Sequence, residues 1–202
     1  MSRYYMINKP AGCITARKDD RHKVVMDYFS DIDTTNLNPV GRLDLDTEGL
    51  LLVTDDGKWN QELMKPESHI KKKYYFYVLG DLTDEIVRKL ETGVVLTGET
   101  EKRKPAVIEI ITKTELGKLP KSCQGRRYDA ISRNKMDSVI TEGYITITEG
   151  KKRQIKRMMK AVHCYIIYLK REAIGELLLD NSLKPGEYRE LTRREIEAAK
   201  IR

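Results

Sequence analysis

Asp44, Asp46 and Glu48 fall within five residues of one another, and Gly49, the apolar run Leu50-Leu51-Leu52-Val53 and Asp55-Asp56-Gly57 follow them. Two chemistries suit such a segment. A carboxylate is ionised at neutral pH without a helping base, so one of these could serve as a nucleophile. Oxygen ligands could also wrap a calcium ion, since Asp44, Asp46, Glu48, Gly49 and Asp55 take positions 1, 3, 5, 6 and 12 of an EF-hand pattern. The flanks oppose calcium. Pro39 and Gly41 stand where a helix is required, Leu52 takes the ninth position, and the twelfth is Asp instead of a bidentate Glu. A solvated acidic turn remains the plain alternative for the segment taken alone.

A second concentration of charge lies near the end of the chain. Arg153, Lys156, Arg157 and Lys160 are spaced i, i+3, i+4 and i+7, so a helix over Lys151–Val162 gathers them on one face. Ile155, Met158, Met159 and Val162 fall on the other side, toward a core. No acidic residue interrupts 151–160, which favours attraction to phosphates over an ordinary solvated face.

The elements that must position these groups are short. Tyr4 to Ile7 reads as a strand ending at the turn Asn8-Lys9-Pro10-Ala11-Gly12, and His22 to Phe29 carries a weak helical pattern. Asn36 to Val40 reads as a loop because Pro39 opposes a helix there. Leu50 to Val53 reads as a buried strand that Asp55-Asp56-Gly57 closes as a hairpin turn. Trp59 to Met64 suggests a short helix, Tyr74 to Leu79 an aromatic strand, and Thr83 to Glu91 a helix capped by Asp81 or Thr83. Ala106 to Thr112, Tyr144 to Thr148, Tyr165 to Leu169 and Leu177 to Leu179 read as strands, and Arg193 to Lys200 as a closing helix. Residues 117–138 read as a basic loop or long hairpin carrying Lys121, Arg126, Arg127, Arg133 and Lys135. The pattern is that of an α+β fold.

Composition sets the outer limits. With 202 residues, 40% hydrophobic and 34% charged, the chain can form one well-packed globular domain. No apolar run reaches the length of a membrane span, and the first residues lack the pattern of a signal peptide, so a cytoplasmic location is expected. Cys13, Cys123 and Cys164 are scattered, as are His22, His69 and His163, which argues against a disulfide framework and against a metal site. A net charge of +7 suits a polyanionic partner.

The motifs carry a family resemblance. Gly41-Arg42-Leu43-Asp44, Asp46-Thr47-Glu48-Gly49-Leu50-Leu51-Leu52 and Thr54-Asp55-Asp56-Gly57 resemble the catalytic motif of the bacterial ribosomal pseudouridine synthases, above all their small-subunit branch. Asn8-Lys9-Pro10-x-Gly12, Lys72-x-Tyr74, Lys104-Pro105-Ala106, Glu149-Gly150-x-x-Arg153-Gln154-Ile155-Lys156-Arg157-Met158 and Pro185-Gly186-Glu187-Tyr188-Arg189-x-Leu191-Thr192 resemble further motifs of that branch, in the same order. The resemblance runs over nearly the whole chain.

The resemblance implies the pseudouridine synthase catalytic fold, a largely antiparallel mixed sheet in two lobes with flanking helices and a central basic cleft, as one domain over 1–202. It implies site-specific isomerisation of uridine in ribosomal RNA, 16S in the first instance, without metal or organic cofactor. Asp44 would be the nucleophile, adding to C1′ of the ribose or to C6 of the uracil. Lys156, where many relatives have Arg, would hold that carboxylate ionised, and Tyr74 would stack on the base. Arg42 would help extrude the target nucleotide. Lys9, Lys72, Arg153, Gln154, Arg157 and Lys160 are the further residues expected on the RNA. Partners would be ribosomal RNA or a subunit-assembly intermediate. Two departures bear on the target. Arg153 stands where small-subunit enzymes often have His, as in some large-subunit relatives, which keeps 23S rRNA open. The Asn-Lys-Pro motif begins at residue 8, so recognition is expected to rest on the catalytic domain and the 117–138 segment, without the accessory RNA-binding domain usual in the branch. A catalytically silent RNA-binding or assembly module is the alternative from another functional class.

Overall fold

The apolar runs of the sequence become paired strands in a computed structural model, which describes residues 2–132 and 136–202. In chain order the elements are β1 (Tyr4–Lys9), β2 (Asn38–Val40), β3 (Glu48–Thr54), α1 (Gly57–Met64), β4 (Lys72–Leu79), α2 (Asp84–Glu91), β5 (Val107–Glu115) and α3 (Arg126–Ser132). There follow β6 (Val139–Ile147), α4 (Gln154–Ala161), β7 (Tyr165–Ile174), β8 (Leu177–Leu178), β9 (Tyr188–Glu190) and α5 (Arg193–Ala198). This is the expected α+β content. The chain divides into two units, residues 1–72 with 170–202, and residues 73–169.

The first unit is built on β1 and β3, which pair antiparallel from Tyr4↔Thr54 to Lys9↔Gly49. Both strands are buried almost throughout, which is why they read as continuous apolar runs instead of alternating ones. Strand β9 pairs antiparallel with the other side of β1, and the end of β7 runs parallel to β3 through Glu48↔Lys170 and Gly49↔Arg171. Met6, Leu50, Leu52, Trp59, Leu63 and Ile174 lie at the centre of its core.

Gly49 is required by the parallel contact. Its φ is +97°, and a Cβ there would lie 2.2 Å from the Arg171 carbonyl oxygen. A Gly49→Ala variant is therefore expected to lose about 3 kcal/mol or more of stability, combining backbone strain with a clash that neither strand can relieve. The shift of the urea midpoint measures it.

Three local expectations are corrected here. Asn38 to Val40 is a strand, not a loop: Pro39 lies opposite Val53 in a three-residue ribbon whose outer side has, among the described residues, no strand to receive an N–H. Asp55-Asp56-Gly57 is not a hairpin turn. Asp56 caps α1, its carboxylate accepting from the backbone N–H groups of Lys58 and Trp59, both at 3.0 Å. The expected helix over His22 to Phe29 shrinks to a 3₁₀ turn at Val25–Phe29.

In the second unit the strand order is β5-β6-β4-β7. Strands β5 and β6 form a long antiparallel ladder, and the 117–138 segment connects them. Its described part is folded: two 3₁₀ turns and α3 occupy it, and Leu116, Leu119 and Cys123 pack with Tyr77, Ile140 and Ile167. Arg133 and Lys135 of the expected basic segment lie outside the described residues, as do the side chains of Arg126 and Arg127.

Candidate active site

The loop that carries Asp44 joins β2 to β3 and is fixed through its backbone by residues near the N-terminus. Lys9, the last residue of β1, is 0% exposed. Its ammonium donates to the carbonyls of Pro10 at 2.9 Å, Asp44 at 3.1 Å and Thr47 at 2.8 Å, which matches its three protons to three acceptors. Burial pushes the Lys9 pKa down, while Cys13, Glu48, Asp46 and Asp44 pull it back up. The Thr15 hydroxyl donates to the Leu43 carbonyl at 2.9 Å and accepts the Leu43 N–H at 3.1 Å. The Gly12 N–H donates to the Leu45 carbonyl at 2.8 Å. Leu43 is buried as an apolar peg, Asp44 is half-buried, and Arg42 is exposed beside them. A carboxylate is thus presented from a loop with little backbone freedom, as a positioned nucleophile requires.

Lys9 was expected on the RNA and is instead a structural anchor without surface. The calcium alternative fails on geometry. Glu48–Thr54 is a seven-residue strand, so Asp55 stands roughly 20 Å from the Asp44 end, too far to share one ion. Asp55 is also engaged by Arg3, through the backbone N–H at 2.8 Å and the guanidinium at 3.0 Å.

Lys72, expected on the RNA as well, is 6% exposed and donates to the Ile70 carbonyl at 3.2 Å. Burial, with Arg171 adding to it, brings its pKa down to about 8. An unfolded-chain lysine titrates near 10.4, so between the two values the unfolded state binds a proton that the folded state has released. Stability therefore rises as pH climbs through that window, with a Lys72 contribution of up to about 3 kcal/mol. Denaturant titrations from pH 7.5 to 10.5 should show this rise in the wild type and a flatter profile in Lys72→Met.

The second unit carries the remaining candidates. Tyr74 is buried on β4 and shares a face with Phe76. Its neighbours Tyr75 and Tyr77 point to the opposite face. There the Tyr75 hydroxyl bonds the Tyr77 hydroxyl at 2.7 Å and the Glu142 carboxylate at 2.5 Å, and Tyr144 and Tyr168 pack around the Tyr75 ring. Burial and Glu142 push the Tyr75 pKa up. Tyr74 is set apart from this cluster, as the Lys-x-Tyr pattern singles it out.

Helix α4 begins at Gln154, three residues later than expected, and Arg153 at its N-cap is left-handed with φ 52°. Lys156 is half-buried, Arg153 and Lys160 are exposed, and Ile155, Met158 and Met159 face the core. Two members of the expected RNA set are otherwise engaged. Gln154 is 3% exposed, its amide donating to Glu149 at 2.7 Å and accepting from the Lys151 N–H at 3.0 Å. Arg157 pairs with Glu99 at 2.6 Å and donates to the Thr97 carbonyl at 3.0 Å. Sequence reasoning did not single out Glu99, Arg103 and Glu149, which meet these groups. Glu149 lies inside a quoted motif, but nothing in the sequence marks it as buried.

The family model for RNA pseudouridylate synthase matches residues 3–161, and the chain belongs to that family. It is accordingly a pseudouridine synthase, an enzyme of RNA modification. The chain is 36% identical over 194 residues to ribosomal small subunit pseudouridine synthase A of Escherichia coli (strain K12), covering 96% of this chain and 72% of that protein. It is 40% identical to the uncharacterized RNA pseudouridine synthase YtzG of Bacillus subtilis (strain 168), again over 96% of this chain and 71% of the relative. A crystal structure of a pseudouridylate synthase superposes with a TM-score of 0.80 at 33% identity, covering 98% of this chain and 74% of the other. Among the described residues no helix is long and apolar enough to cross a membrane.

Proposed function

We propose that this enzyme converts a uridine of small-subunit ribosomal RNA to pseudouridine, with Asp44 as nucleophile. The reading is carried by the 36% identity to the small-subunit synthase, which extends over nearly the whole chain. The backbone clamp on the Asp44 loop supports the residue assignment, because it fixes the backbone of the residue that carries the carboxylate. In the reaction the N1–C1′ bond breaks, the base turns, and C5 bonds to C1′. The C5 proton leaves and N1 gains one, so the atoms balance without oxidant, reductant or cofactor. Asp44 adds covalently to C1′ or to C6, which keeps the ribose or the uracil, respectively, bonded to the enzyme between bond breaking and bond making. Tyr74 stacks on the uracil, and Lys156 supplies the positive charge that favours an ionised nucleophile. Arg42, exposed beside Asp44, assists extrusion of the nucleotide, and Arg153 and Lys160 meet phosphates. The substrate is free rRNA or an assembly intermediate in the cytoplasm.

A second reading has one observation in its favour. Arg153, in place of the His frequent in small-subunit enzymes, points toward 23S rRNA. The deciding test is incubation with unmodified 16S and 23S rRNA and with subunit-assembly intermediates, followed by carbodiimide mapping of pseudouridine. One new site in 16S rRNA is the expected result. A site in 23S rRNA transfers the target to the large subunit, and no site in any substrate leaves an RNA-binding module as the better account.

A further inference from the structure

The first turn of α4 begins without the usual means of fixing a helix start. Its N-cap is Arg153 in a left-handed conformation, with no side-chain hydrogen bond to the free N–H groups of the turn. What closes the turn is Gln154. Its amide oxygen accepts the Lys151 N–H at 3.0 Å, and its amide nitrogen donates to the Glu149 carboxylate at 2.7 Å. The two bonds draw both ends of 149–154 together. The same Glu149 oxygen accepts the Lys104 N–H at 3.0 Å, which ties the turn to the segment before β5.

A line of alternating charges extends from this point. The second Glu149 oxygen lies 3.9 Å from the Arg103 guanidinium, which contacts Glu99 at 2.6 Å, and Glu99 in turn pairs with Arg157 of α4 at 2.6 Å. Glu149 and Arg103 are 8% and 6% exposed. Salt and water therefore screen the Glu149–Arg103 end of this line weakly, and each of those two groups depends on its neighbour for compensation. The helix is gripped twice, at Gln154 and at Arg157, and Lys156 lies between the two grips.

We propose that Glu149 is a positioning residue for the reaction: by fixing Gln154 and the Glu99–Arg103 pair, it sets where the first turn of α4 holds Lys156. The proposal rests on the role given to Lys156 above. Displacement of a charged group by about an ångström is enough to lower a rate about 100-fold. Neither Glu149 nor Gln154 need touch the RNA to have this effect.

The hydrogen-bond pattern supplies its own test, because Glu149→Gln keeps an accepting oxygen at 149, whereas Gln154→Glu sets a second carboxylate against it. Gln at 149 can still accept both the Gln154 amide and the Lys104 N–H on one oxygen, while Glu at 154 still accepts the Lys151 N–H but has no proton for Glu149. Single-turnover pseudouridine formation is measured beside RNA affinity for wild type, Glu149→Ala, Glu149→Gln and Gln154→Glu. Glu149→Ala and Gln154→Glu are expected to slow the reaction about 30- to 100-fold with affinity held within about threefold, and Glu149→Gln to retain most of the rate. An undiminished rate in Glu149→Ala, or a Glu149→Gln rate as low as that of Glu149→Ala, would overturn the positioning role while wild-type turnover left the function standing.

Hydrogen exchange of the amides over 154–158 gives a readout that needs no substrate. Glu149→Ala is expected to speed it about tenfold or more, and Glu149→Gln to keep most of the protection. Unchanged protection overturns the proposal even if the wild type modifies no RNA, an outcome that would separately refute the functional reading.

Discussion

Asp44→Asn is expected to abolish pseudouridine formation, lowering the rate by at least about 10⁴-fold, as loss of a covalent nucleophile does elsewhere. The substitution keeps the shape of the side chain and exchanges one oxygen for an amide nitrogen, which is a poor nucleophile. It keeps the contacts that Lys9, Thr15 and Gly12 make to the loop, which are to backbone atoms: the Asp44 carbonyl receives Lys9, and the Leu43 and Leu45 carbonyls receive Thr15 and Gly12. The thermal midpoint should therefore remain that of the wild type. Affinity for RNA should stay within about threefold or tighten slightly, since removing a negative charge reduces repulsion of the phosphates. Single-turnover conversion and filter binding on the same RNA check both halves. Full activity in the variant would remove Asp44 from the chemistry, and joint loss of activity, binding and stability would make it a structural residue.

Much of the scaffold was legible because it depends on local pattern. The runs Tyr4 to Ile7 and Leu50 to Val53 are apolar and short, and they become the two buried central strands of their unit. Helix α2 begins after Thr83, one of the two caps its sequence offers. Misreadings arose where one sequence signal serves two structures. Asp-Gly is a hairpin signal and also a helix start, and only the partner N–H groups of Lys58 and Trp59 decide which. Pro39 excluded a helix but not a short ribbon beside β3. The site was legible as motifs and illegible as a division of labour. Lys9, Lys72 and Gln154 look like surface residues in a basic protein, yet all three are buried. Their partners come from distant positions: Lys9 meets carbonyls some 35 to 38 residues away, and Glu149 meets the N–H of Lys104, 45 residues before it. No local periodicity encodes such a pairing.

Lys9 makes that division of labour testable. If it met RNA phosphates, Lys9→Arg would preserve function, and Lys9→Met would weaken binding in proportion to one lost charge while reducing the salt dependence. The buried geometry predicts the opposite on each count. Arginine is longer and presents a planar fork, so it cannot place three donors on the Pro10, Asp44 and Thr47 carbonyls within a space that fits an ammonium. Methionine fills the volume but leaves those carbonyls without their donor, at about 1–3 kcal/mol for each one that water cannot reach. Part of this is offset, since a buried ammonium is itself unfavourable, as its lowered pKa records. The net loss of stability in Lys9→Met should thus be modest, about 1–3 kcal/mol. The loop feels the full change, because Lys9 ties the residues on both sides of the Asp44–Thr47 turn to the end of β1. Both variants should slow single-turnover conversion about 100-fold or more while the slope of RNA affinity against salt stays that of the wild type. An active Lys9→Arg enzyme, or a salt slope reduced by one charge in Lys9→Met, would return Lys9 to the RNA and leave the Asp44 loop to be held by Thr15 and Gly12.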